Sequence, residues 1–488
     1  MVDIPGTRLD DTTADFLREH RIRAVCLFRR NLGTREEVVA LTGALRALMG
    51  EHALIGLDQE GGAVVRSTFL PQAPSAMALG ASGDEVLACD VGAAVARGLR
   101  SLGINWNFAP VLDVNSHPEN PVIAERSFGQ DPLEVTRLAG AWMRGSLAEG
   151  VACCVKHFPG HGDTHVDSHL ALPTVDKSRT QLDAVELLPF RALAGDAPAV
   201  MTAHIVYPQI DPDHPATLSR KVLRGILRDE WGYDGVVITD ALMMKAIADR
   251  YGHGRAAVMA IDAGADMVLA QGTVEEQAQA IRALQAALAD GSLTAAQGRR
   301  AVARLDALSK RYPVRQTPYS VDQQADDDAL MHRAWAQGLT TLGGAVAPRR
   351  GQALRVIVQA DVPTDNVAEA GPSGALALAL FDQFENVQAL VVDDIARLDW
   401  AQLPRDGRCN VLVSTRRDRY ESSAQDWRPD LHVVLWNPFQ VLDVPAPAVL
   451  TWGYAEGALA GVKHWLQGDQ QAPGHAPVSL APAEALAP

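Results

Sequence analysis

The sequence predicts an α/β chain in which a (β/α)8 barrel of the TIM type is followed by a smaller α/β domain. Two observations carry the barrel. Short apolar runs alternate with amphipathic helical segments through the first part of the chain, and polar residues cluster where the apolar runs end. A third observation, renewed alternation after a polar stretch containing proline, separates the second domain. At 488 residues the chain is also long for a single core, so two domains is the natural expectation.

The apolar runs of the first part are 25–28, 53–57, 104–109, 152–155, 199–202, 236–239 and 267–270. Runs of this length bounded by turn residues read as buried strands. Between them, 35–49, 85–102, 133–149 and 274–290 carry apolar residues at helical spacing. Such alternation implies right-handed βαβ units and a parallel sheet. Seven strands show in the pattern, and the eighth is not located by it.

The polar residues at the strand ends are Asp58, Gln59 and Glu60 after the second run, Asp113 and Asn115 after the third, and Lys156-His157 after the fourth. His204 follows the fifth and Asp240 the sixth. A (β/α)8 barrel assembles its active site from those C-terminal ends, so function at this rim is a stronger reading than a merely solvated edge.

The barrel, residues 1–312, closes with a basic helical pattern at 297–310. Pro313, Pro318 and the polar run 322–328 mark 313–338 as a linker or strap. The second domain, 339–469, has strand patterns at 354–359, 389–392, 410–414, 432–435 and 449–451. Gly371-Pro372-Ser373-Gly374 precedes a helical pattern at 375–381 and reads as punctuation, since it does not match a P-loop. Residues 470–488, rich in Pro and Ala, read as a disordered tail.

Composition narrows the function. A formal net charge of −15 disfavours nucleic acid or an anionic membrane face as the partner. Five cysteines form no CxxC pair, and Cys26, Cys153 and Cys154 sit in apolar runs as buried free thiols do. The first residues lack a basic segment followed by an apolar core, and no stretch approaches a membrane span, so a cytoplasmic location is expected.

The most informative stretch is the loop after the fourth run, Lys156-His157-Phe158-Pro159-Gly160-His161-Gly162 and then Asp167-Ser168-His169. Its histidines, His157, His161, His165 and His169, recur every four residues, as metal ligands on one helix face would. Pro159, Gly160 and Gly162 oppose that helix. A metal site therefore ranks below both a catalytic loop and plain surface histidines. Asp240, read alone, is better explained as a helix N-cap for 242–250 than as a catalytic group, and His204 can be read as a satisfied core histidine.

This loop closely resembles the signature of bacterial β-N-acetylglucosaminidases of glycoside hydrolase family 3. Asp3-Ile4-Pro5-Gly6-Thr7, Leu27-Phe28-Arg29-Arg30-Asn31, Asp58-Gln59-Glu60-Gly61-Gly62, Asn107-Phe108-Ala109-Pro110-Val111-Leu112-Asp113, Arg126-Ser127-Phe128-Gly129 and Thr239-Asp240-Ala241-Leu242 match in order. The resemblance implies that the second domain is the αβα sandwich of two-domain members. It implies Asp240 as nucleophile, His169 as general acid and base tuned by Asp167, and Asp58, Arg66, Arg126, Lys156 and His157 as ligands of the N-acetylglucosamine hydroxyls. No cofactor or metal is implied. Ala63 and Ala241 depart from the usual pattern without removing any of these groups. The chemistry is coherent: an ionised aspartate meets charge at the anomeric carbon, while histidine gives and takes a proton near neutrality. The expected activity is retaining, exo-acting hydrolysis of small N-acetylglucosaminides from cell-wall muropeptides or chitin fragments. The alternatives are a phosphorylase on the same fold, and a metal-dependent hydrolase or inactive sugar-binding protein.

Overall fold

The computed structural model describes residues 1–165, 171–362 and 373–480. Eight parallel strands follow one another round a single sheet: β1 (Val2–Asp3), β2 (Ala24–Cys26), β3 (Leu54–Leu57), β4 (Trp106–Asn107), β5 (Ala152–Phe158), β6 (Ala199–Thr202), β7 (Val236–Ala241) and β8 (Met267–Leu269). A parallel bridge between Val2 and Ala270, with the Ala270 N–H donating to the Met1 carbonyl, joins last strand to first and closes the expected barrel. The strand that the apolar pattern does not locate is β1. Its sequence, Met1-Val2-Asp3-Ile4-Pro5, is interrupted by Asp3 and Pro5 and leaves no apolar run.

Side chains alternate across the barrel wall, as strand geometry demands. Cys26, Leu54, Trp106, Phe108, Cys154, Met201, Ile238 and Leu269 fill the interior. Val25, Ile55, Val155, Val200 and Val237 face the surrounding helices. Gly56 leaves room for a neighbour, because a Cβ there would lie 2.6 Å from the Phe108 ring. All five cysteines are free thiols, and burial pushes Cys153 up to about 12.

The helices start where their caps sit. Arg35–Met49 and Val274–Asp290 each open with a reciprocal capping box, Thr34 with Glu37 and Thr273 with Glu276. The helix expected over 242–250 begins later, as Lys245–Tyr251, with Met244 in the cap position. Asp240 is therefore not a helix cap.

Two expectations about the connections need correction. Much of the segment read as a linker is an 18-residue helix, Val321–Gly338, capped by Ser320. Its polar start misleads because Asp327 turns inward to Arg97 and Tyr319, while Leu330, Met331, Ala334 and Trp335 are buried. The chain from 470 to 480 is also ordered. His475 and Gly474 donate to the carbonyls of Ala81 and Leu339, Gln130 donates to that of Pro477, and Val478 is buried. Residues 481–488 lie outside the described residues.

The second sheet comprises β9 (Thr340–Leu342), β10 (Leu354–Gln359), β11 (Val387–Val392), β12 (Cys409–Ser414), β13 (Leu431–Val434) and β14 (Ala448–Leu450), in the order β9-β14-β13-β12-β10-β11. Only β9 runs antiparallel to its neighbour. Helices Gly374–Ala379 and Glu456–Gln467 cover one face. Short helical turns cover part of the other, and Met77, Ala78 and Trp335 cover the rest. The two domains therefore share a packed boundary, where the Ser75 hydroxyl donates to the Trp452 carbonyl and Gly338 lies against the Ala78 carbonyl. Among the described residues no helix is long and apolar enough to cross a membrane.

Candidate active site

The strand β5 continues past the barrel wall to Phe158 and carries Lys156 and His157 to its C-terminal end. Both are buried. A buried ammonium is tolerable only with close counter-charges, and Lys156 Nζ lies 2.7 Å from Asp58 Oδ1 and 2.6 Å from Glu60 Oε1. Burial alone would lower the lysine pKa, but the two carboxylates outweigh it and the group is held above its ordinary value.

Glu60 also accepts a two-pronged contact from Arg126, at 2.9 Å from Nε and 2.8 Å from Nη2. Burial would raise its carboxyl, yet Arg126 and Lys156 hold it far below the usual range. Arg66 closes the chain of charges on Asp58, at 3.4 Å.

His157 is fixed from both sides. Its Nδ1 lies 2.7 Å from Asp113 Oδ2 and its Nε2 lies 3.4 Å from Arg126 Nη2. Arginine has only donors, so Nε2 accepts and the ring proton sits on Nδ1, facing Asp113. The backbone N–H groups of His157 and His161 donate to the other Asp113 oxygen at 3.1 and 2.7 Å. Burial would raise the Asp113 carboxyl, but His157 and His161 together hold it below its ordinary value.

Asp240 stands at the C-terminal end of β7 and accepts from the Ala241 N–H at 2.8 Å. Asp58, Lys156 and Asp240 follow or occupy the C-terminal ends of β3, β5 and β7, so all three stand on one rim of the barrel. His204 binds the Ala241 carbonyl through Nε2 at 3.0 Å and Thr217 Oγ1 through Nδ1 at 2.8 Å. It holds the peptide beside Asp240 in place.

The structure thus gathers Asp58, Arg66, Arg126, Lys156 and His157 into one network and sets Asp240 on the same rim. Asp167 and His169 lie outside the described residues. Glu60 and Asp113, which the sequence marked only as polar residues at strand ends, are joined to the network. The available signal was the burial of Lys156 and His157 at a strand end, which demands carboxylate partners from neighbouring ends.

The second domain reaches the same site. Trp436 Nε1 donates to Glu125 Oε1 at 2.9 Å, and Arg417 Nη2 donates to the Val122 carbonyl at 2.7 Å. These contacts brace the short turn Ala124–Arg126 that presents the Arg126 guanidinium.

His161, buried with Nδ1 2.9 Å from Thr164 Oγ1, is pushed down to about 4 by burial and by the neighbouring His157. It stays neutral in the fold while the unfolded chain takes up a proton below about 6.5. Stability is therefore complete above that value and falls as pH drops towards 4, because the unfolded state binds more protons. The depressed carboxyls Asp58, Glu60 and Asp113 act in the same direction at lower pH. The urea midpoint should decline between pH 7 and 5, and His161→Gln should flatten that decline. A midpoint equally pH-dependent in the variant would remove His161 as its cause.

The family model for the glycosyl hydrolase family 3 N-terminal domain matches residues 1–308. The chain belongs to glycoside hydrolase family 3. Beta-hexosaminidase A of Pseudoalteromonas piscicida is 37% identical over 338 residues, covering 63% of this chain and 56% of that protein, so the match spans little more than half of that relative. A solved family 3 beta-N-acetylglucosaminidase from Paenibacillus sp. str. FPU-7 superposes with a TM-score of 0.88 at 34% identity, over 98% of this chain and 97% of its own. NagZ from Neisseria gonorrhoeae, solved in complex with N-trifluoroacetyl-D-glucosamine, aligns at 33% identity and a TM-score of 0.53, over 63% of this chain and 97% of its own. The family resemblance expected from the motifs is borne out, and so is the expected architecture of barrel and second domain.

Proposed function

We propose that the protein is a retaining, exo-acting β-N-acetylglucosaminidase that removes terminal N-acetylglucosamine from cell-wall muropeptides or chitin fragments. The observation that carries this reading is the buried network of Asp58, Lys156, Glu60, Arg126 and His157, lying on one barrel rim with Asp240. Such a cluster offers charged donors and acceptors, fixed in advance, for sugar hydroxyls. The similar Paenibacillus and Neisseria proteins, one named for N-acetylglucosamine cleavage and one binding an N-acyl glucosamine, support the substrate class.

In this reading Asp240 attacks the anomeric carbon and forms a covalent glycosyl-enzyme, while His169 protonates the departing oxygen. Asp167 orients the imidazole and stabilises its charged form. Water, activated by the now neutral His169, then releases the sugar with retained configuration. His169→Ala should lose most activity on alkyl or sugar leaving groups and least on nitrophenol, which departs with little protonation. Equal loss across leaving groups would remove His169 as the acid.

Water rather than phosphate is the acceptor. Four carboxylates (Asp58, Glu60, Asp113, Asp240) face three cations (Arg66, Arg126, Lys156); Arg66 contacts Asp58, Arg126 contacts Glu60, and Lys156 contacts both. A phosphate dianion would meet net negative charge. The test is the product formed from a chromogenic N-acetylglucosaminide in phosphate buffer. Free N-acetylglucosamine is expected at a rate independent of phosphate. Sugar 1-phosphate as the main product would make the protein a phosphorylase, and no cleavage at all would refute the substrate class.

A further inference from the structure

Of the regularly spaced loop histidines, two are absorbed by the site just described, His157 through Asp113 and His161 through Thr164. His165 is not. It meets His117, from the loop after β4, with ring centroids 4.0 Å apart in an edge-to-face arrangement. Glu119 completes the group, and one ligand atom from each of the three residues lies within 4.8 Å of the others.

The two loops that present these side chains are locked together beneath them. Asn120 Nδ2 donates to the His161 carbonyl at 2.8 Å and to Thr164 Oγ1 at 3.3 Å. Gly162 lies so close to the Val114 carbonyl that a Cβ would come within 1.6 Å of it. The nearby charges are engaged elsewhere: Arg419 with Asp443 at 3.0 Å, and Asp163 with Lys177 at 2.9 Å.

We propose that His117, Glu119 and His165 form an accessory site for a zinc-class divalent metal, bridging the loops after the fourth and fifth barrel strands. Two imidazoles and one carboxylate are the donor set that zinc-class ions favour, whereas calcium and magnesium take oxygen ligands. Tetrahedral zinc with bonds near 2.0–2.1 Å holds its ligand atoms about 3.3 Å apart. Convergence from the observed spacing asks for side-chain rotation on the order of 1 Å at each ligand. The set leaves a coordination position for water. Three ligands from two loops that are already fixed lose less entropy on binding than three mobile ones.

None of the three residues is assigned a part in the proposed chemistry, so the test reads binding directly. Full-length protein stripped with chelator should retain its turnover, and calorimetric titration with zinc chloride should show one equivalent bound, with no comparable heat from magnesium. His117→Ala and His165→Ala should each weaken zinc binding at least about tenfold and leave metal-free turnover unchanged. Asp167→Ala and His169→Ala should bind zinc as the parent does. The proposal is overturned if zinc does not bind, if His117→Ala binds it normally, or if His169→Ala abolishes binding. The last result would place the metal on His169 instead.

Discussion

Asp240→Ala is expected to remove nearly all turnover, by several orders of magnitude, while the thermal midpoint changes little. Loss of a covalent nucleophile removes a whole step of the double displacement, so the effect falls on kcat as well as kcat/KM. The fold should tolerate the change. Asp240 is not a helix cap, it accepts from its own neighbour's N–H, and Ala241 stays anchored by His204. A 2-fluoro glycoside, with fluorine in place of the 2-acetamido group, that stalls at the glycosyl-enzyme should label the peptide containing Asp240. Turnover within tenfold of the parent, or a label on Asp58, Glu60 or Asp113, would assign the nucleophile elsewhere.

Glu60→Ala should produce the largest loss of stability. Its carboxylate is shared by Lys156 and by both prongs of Arg126, all three side chains being buried. Removing it leaves two buried cations short of a partner, a change that costs about 3–5 kcal/mol when a buried pair is broken. Replacing the charge with Gln keeps the shape and one acceptor, so Glu60→Gln should lose less. Urea unfolding measures both. Activity should fall too, since a guanidinium displaced by about 1 Å costs roughly 100-fold in kcat/KM. If Glu60→Ala unfolds at the parent's midpoint, the network is an ornament rather than a support. Stability lost without any change in kcat/KM would confine Glu60 to a structural role.

Much of this was legible in the chain. Apolar runs identified seven barrel strands because each lies in a mainly apolar stretch of sequence, and missed β1, where Asp3 and Pro5 interrupt Met1, Val2 and Ile4. The polar ends of those runs marked the rim that carries Asp58, Lys156 and Asp240. The polar run at 322–328 misled for a physical reason: it opens a helix in which Asp327 is buried against Arg97 and Tyr319, and whose apolar side begins only at Leu330. The Pro- and Ala-rich end misled similarly, because its order comes from backbone hydrogen bonds to Ala81, Leu339 and Gln130, which composition does not record.

The sequence by itself determined the barrel, the family and the residue types at the rim, since these rest on local periods and short motifs. Tertiary structure decided the partnerships. Glu60 neutralises Lys156 and Arg126, Asp113 sets the tautomer of His157, and Trp436 from the second domain steadies the turn before Arg126. It also divided the histidine run, turning His157 and His161 inward while His165 meets His117. Except for His161 with Thr164, these contacts join residues from different βα units or domains, and charge pairing acts over a few ångströms of space whatever the distance along the chain.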